Sequence, residues 1–85
     1  MRRAEQVSEN LKLSRLLTQR LLEEPALLEQ IPEGADVIVL PLDNPELFQA
    51  NLQHLLALKG AGKQDLVVVV LESTRASKPK LLVKV

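Results

Sequence analysis

The sequence predicts a small α/β fold, a two-layer sandwich in the order α-β-α-β-β, with a parallel βαβ unit and an antiparallel edge strand. Three observations predict it. Two long segments carry apolar residues at helical spacing, two short runs are apolar at every position, and proline or glycine stands at most of the junctions between them. A chain of 85 residues makes one α/β domain, 1–85, near the lower limit at which a single core suffices. Any large apolar face left over therefore calls for a second copy or a partner.

The first helix is expected from Ala4 to Glu24, where Pro25 forces the preceding residue out of helical geometry. At 100° per residue Val7, Leu11, Leu17, Leu21 and Leu22 share one face, and Leu13 and Leu16 extend it well around the helix. So wide an arc is more than one small sheet covers. It marks Leu13, Leu16 and Leu17, with the polar intrusions Asn10 and Ser14, as an interface with a neighbouring chain.

A short helical segment, "PALLEQI", starts at Pro25, and "IPEG" turns the chain into the next element. "ADVIVLPL" is a strand candidate from Ala35 to Pro41 whose alternating sets, Val37/Val39 and Ile38/Leu40, are both apolar, as burial on two faces requires. The second helix runs from about Pro45 to Lys59 with Gly60 as its stop. "DLVVVVLE" is again apolar on both faces. The polar stretch "STRASKPK" leads to "LLVKV", whose Lys84, with Lys80 just before it, suits an edge strand that must not pair further. The two strands of the βαβ unit should be parallel with a right-handed crossover.

Composition excludes several functions. There is no cysteine, hence no disulfide, thiolate metal site or cysteine nucleophile, and His54 is alone. Eleven basic residues balance eleven acidic ones, which gives no bulk attraction to nucleic acid or an anionic membrane. The longest apolar run, "LVVVVL", is far shorter than a membrane span, and "MRRAEQVSEN" lacks the apolar core of a secretory signal, so a cytoplasmic setting is expected. No catalytic residue, metal site or cofactor is assigned.

"LPLDNPEL" is the best candidate for a site. Asn44 is a favoured N-cap, Pro45 fits the first helical position, and Glu46 complements the helix dipole. The functional alternative makes Asp43, Asn44 and Glu46 a small-ligand or divalent-cation site beyond the carboxyl end of a parallel strand, with His54 supplied by another subunit. Asn51, set among Leu47, Leu55 and Leu58, must find partners for its amide, from backbone, a subunit or a ligand. "KGAGK" looks like a phosphate loop but joins a helix to a strand, the wrong order for one. Arg75, Lys78 and Lys80 offer phosphate contacts without any aromatic for base stacking.

Whole phrases also carry a resemblance. Asn10, Leu11, Leu13 and Ser14 form an N-L-x-L-S segment. Ile31, Pro32, Gly34 and Ala35 form I-P-x-G-A, and Asp43, Pro45, Glu46, Leu47 and Asn51 form D-x-P-E-L-x-x-x-N. About half the chain is thus similar to a family of small prokaryotic proteins of unknown function. The resemblance implies a compact α/β domain, brings no activity to transfer, and points to Asn10 and Asn51 as one buried network.

These readings converge on a non-enzymatic interaction module, a homodimer or the partner of a cognate protein. Ligand or cation binding at the strand-to-helix junction is one alternative. An antitoxin-like regulatory partner of another protein is the other.

Overall fold

The computed structural model describes residues 1–73 and 81–84, so the basic stretch Arg75, Lys78 and Lys80 lies outside the described residues. Helix α1 spans Arg3–Glu23, α2 Pro25–Glu29, β1 Asp36–Pro41, α3 Pro45–Gly60, β2 Leu66–Leu71 and β3 Leu81–Lys84. The sheet order is β1-β2-β3. β1 and β2 are parallel, Val37 opposite Val67 and Val39 opposite Val69. β3 returns antiparallel, with Val83 opposite Val69. The mixed α/β fold and its element order are those the hydrophobic patterning predicts.

Burial on both strand faces comes from dividing the helices between them. Val67, Val69 and Leu71, all at most 1% exposed, take Leu17 and Leu13 of α1 on one face, and Leu47 of α3 joins them. Ile38 and Leu40 take Leu55 of α3 on the other, with Phe48, Leu52 and Leu58 around it. Leu66, Val68 and Val70 on that second face are only half-buried. The central strand is therefore sealed on one side and partly covered on the other.

Local chemistry sets the boundaries. α1 ends because Glu24 sits at φ −130°, ψ 85°, the extended geometry that a following proline imposes. The Ala35 amide donates to the Pro32 carbonyl across a turn that Gly34, at φ 79°, makes possible. The left-handed stop that follows α3 is Gly62, not Gly60 as expected. Gly62 is the left-handed residue, at φ 81°, and its amide donates to Lys59 O while the Lys63 amide donates to Leu58 O, the paired bonds of a Schellman ending. Gly60 is the last helical residue. The two glycines of "KGAGK" thus serve to end a helix.

Candidate functional site

β1 is an edge strand, and the fold covers its open side with α3. The Asp36 and Leu42 amides donate toward β2, to Asp65 O and Leu71 O, so alternation turns the backbone of Val37, Val39 and Pro41 outward. Pro41 has no amide hydrogen to lose there, which is where a strand tolerates proline. Its carbonyl accepts from the Asn44 amide. The Val39 carbonyl accepts from Asn51 Nδ2 at 2.8 Å.

Asn51 is 4% exposed and ties three elements together. Its Nδ2 donates to Val39 O and to Asn10 Oδ1, both at 2.8 Å, and its Oδ1 accepts from Asn10 Nδ2 at 3.0 Å and from Gln6 Nε2 at 3.1 Å. An amide has two donor hydrogens and two acceptor lone pairs. All four are used, so Asn51 holds α1 and α3 against the edge of β1 and has no capacity left for a ligand.

Beside this network a cleft of about 250 Å³ opens between α1, α3 and the edge of β1, lined by Asn10, Ser14, Leu17, Val37–Val39, Asn51 and His54. Ser14 and His54 are exposed at its mouth. The outward amide and carbonyl of Val37 and the amide of Val39 face this open edge by the same alternation. Its lining holds no acidic side chain, lysine or arginine. The arrangement suits an uncharged molecule that exchanges hydrogen bonds with a strand edge.

The strand-to-helix junction is arranged differently. Asn44 Oδ1 accepts from the Leu47 amide at 3.2 Å, the helix cap expected of it. Glu46 is paired with the chain's N-terminal amine at 3.3 Å. Asp43 accepts from Ser73 Oγ at 3.5 Å, which brings the ends of β1 and β2 together. Among the described residues no three His, Asp or Glu side chains form a group able to hold a metal ion. His54 lies eight residues along α3 from Glu46, roughly 12 Å at helical rise, so the two do not share a site within one chain.

The structure also places the expected interface residues. Leu13, 4% exposed, and Leu17, 9%, are buried in the chain's own core, and Leu16 packs beside Leu13. Leu13 and Leu17 are not available to a partner because β2 has already taken them, whereas Leu16 stays half-buried. Asn10 is engaged with Asn51, and Ser14 borders the cleft. What remains on the far side of α1 is Val7, Leu11 and Leu22, at 54%, 58% and 77% exposure. The wide apolar arc is thus two faces, one spent inside the fold and one left outside.

A model of a family of unknown function, DUF5647, matches residues 5–83. The chain belongs to DUF5647. No curated protein and no solved structure matches it significantly. The DUF5647 match takes in all of the Asn51 network and both walls of the cleft, so these belong to the family domain itself. Membership in a small family of unknown function is what the resemblance implied.

Two residues of this DUF5647 chain escape sequence reasoning. Gln6 joins the network because it stands one turn before Asn10 on the same face, a spacing that extends the Asn10–Ser14 row backwards. Arg20 is 7% exposed, and its guanidinium reaches Glu24 at 2.8 Å and Glu23 at 3.1 Å. The Glu24 carboxylate, ahead of Glu23, holds the Arg20 guanidinium above its ordinary value against the opposing push of burial. Its signal was the i, i+3 and i, i+4 spacing to two acids at a helix end. No helix among the described residues is long and apolar enough to cross a membrane.

Proposed function

We propose that this chain is a non-enzymatic interaction module that associates with a second copy of itself. Its surface is the observation that carries the reading. Val7, Leu11 and Leu22 of α1 and Leu56 of α3 stand 54%, 58%, 77% and 59% exposed, and large apolar side chains gathered on an exposed helix face mark an association surface. The reading sets the module in the cytoplasm, where a chain without cysteines has no need of an oxidising compartment. Native mass spectrometry and sedimentation across micromolar to submillimolar concentrations test it. A dimer supports the reading, and a monomer throughout that range overturns it.

A second reading is favoured by the cleft. An uncharged small molecule would bind there through the Val37 backbone, Ser14 and His54, in place of the junction at Asp43, Asn44 and Glu46. A screen of neutral amides and heterocycles by chemical-shift perturbation tests it. Shifts confined to Ser14, Val37 and His54 would support it, and their absence at millimolar ligand would remove it.

A further inference from the structure

The outward edge of β1 offers one complete hydrogen-bonding residue. Val37, Val39 and Pro41 turn their backbone away from β2, and most of that polarity is already spent. The Val39 carbonyl accepts from Asn51, and the Pro41 carbonyl accepts from the Asn44 amide, while Pro41 has no amide hydrogen. Just before the strand, the Ala35 amide donates to Pro32 O. Of these four, only Val37 keeps both its N–H and its C=O without a partner among the described residues, and it stands half-buried on the wall of the cleft. Backbone groups in such a place call for a partner, whether water or a ligand.

We infer that the cleft takes a planar cyclic amide, of the kind uracil presents, paired edge-on with Val37. The inference rests on the small-molecule reading above and names its ligand class. In a ring amide the C=O and N–H lie side by side. The ring carbonyl accepts from the Val37 amide while the ring N–H donates to the Val37 carbonyl, since both groups of one strand residue point to the same side. An added peptide strand fits less well. It repeats its pair of bonds at every second residue, and here Val39 has given its carbonyl to Asn51 while Ala35 has given its amide to Pro32. Leu17, Val37 and Val39 supply apolar surface for the ring, and a cleft of about 250 Å³ has room for a small heterocycle. Without a lysine or arginine in the lining there is nothing to pair with a phosphate, so a bare ring is favoured over a nucleotide. Ser14 and His54 at the mouth stand where ring substituents would emerge.

Backbone amide chemical shifts of the full chain are followed during titration with three probes at millimolar concentration. These are uracil, its N,N′-dimethyl derivative, which lacks the ring N–H, and N-acetylvaline methylamide as an extended-strand mimic. Uracil should move the Val37 and Val39 amide signals. Dimethyluracil should bind at least about tenfold more weakly, because the Val37 carbonyl loses its donor. Equal binding of the two overturns the inference, and tighter binding of the strand mimic overturns it in favour of strand addition. If uracil moves nothing while other neutral molecules shift Ser14, Val37 and His54, the ring-amide inference falls and the small-molecule reading stands. If no neutral molecule shifts them, both fall. Ser14→Trp supplies a second measurement, since Ser14 is exposed and a large ring there obstructs the mouth. The variant should keep its circular dichroism spectrum and lose the uracil response, and undiminished binding by the folded variant would place the ligand elsewhere and overturn the inference.

Discussion

Asn51 Nδ2 lies 2.8 Å from the carbonyl oxygen of Val39, twelve residues earlier in the chain, and that bond satisfies one outward carbonyl of the sheet's edge strand. An unpaired strand edge is a template for unwanted pairing, and proteins cover or blunt it. Here one buried amide does so while also joining the two long helices. The same residue therefore bears on stability, on edge protection and on the shape of the neighbouring cleft.

Replacing Asn51 by Leu should destabilise the fold by about 2 kcal/mol, because it strands the Val39 carbonyl and removes the bonds that hold the half-buried Asn10 and Gln6 amides. Urea unfolding measures this. A double-mutant cycle with Asn10→Ala should return a coupling of about 1–2 kcal/mol, since two of the four bonds are shared by that pair.

Leu13→Glu should unfold the monomer and not merely dissociate an assembly. The side chain is 4% exposed against Leu47 and Leu71, and an unpaired charge there costs on the order of 3–5 kcal/mol, comparable to the whole stability of a small domain. Far-ultraviolet circular dichroism should lose its helical signal. Leu22→Glu, on the outward face, should keep it.

Asn44→Ala should lower stability by about 1 kcal/mol through loss of the α3 cap. Magnesium, manganese and zinc should leave the melting temperature of the wild-type chain unchanged, because among the described residues no third carboxylate or histidine joins Asp43 and Glu46. A cation-dependent rise abolished by Asp43→Asn would restore the junction as a site.

Arg20 makes a prediction about pH. Its pKa is raised in the folded state, chiefly by the Glu24 carboxylate, so its contribution is fully present below the unfolded value and is lost only as pH rises through the still higher folded one. The melting-temperature loss caused by Arg20→Gln should thus be the same at about pH 7 and about pH 10. Arg20→Lys brings the titration into reach. A lysine held by the two glutamates keeps its contribution below its unfolded value of about 10.4 and loses it as pH rises through the folded one. The lysine variant alone should weaken progressively in alkaline titrations.

Element order, the parallel pairing of β1 with β2 and the capping role of Asn44 were legible from the chain because they follow from short-range rules. Strands declare themselves by apolar residues on both alternating sets, and α3 begins where Asn, Pro and Glu stand in the order a helix start demands. The stop glycine of α3 was read two positions early, since either glycine of "KGAGK" could take the left-handed conformation and only the closing bonds to Leu58 and Lys59 select Gly62.

The sequence by itself determined which segments are helix and strand and that α1 carries more apolar surface than one sheet needs. Only the tertiary structure decided how that surface divides, with Leu13 and Leu17 turned to β2 and Val7, Leu11 and Leu22 turned away. It also decided that Asn51 meets Asn10, forty-one residues away, and Val39. The reason is physical. Helical and strand periodicity are properties of neighbours along the chain, whereas the choice between two apolar faces of one helix depends on which packs against distant strands, and the partners of a buried amide depend on where those strands place their unpaired carbonyls.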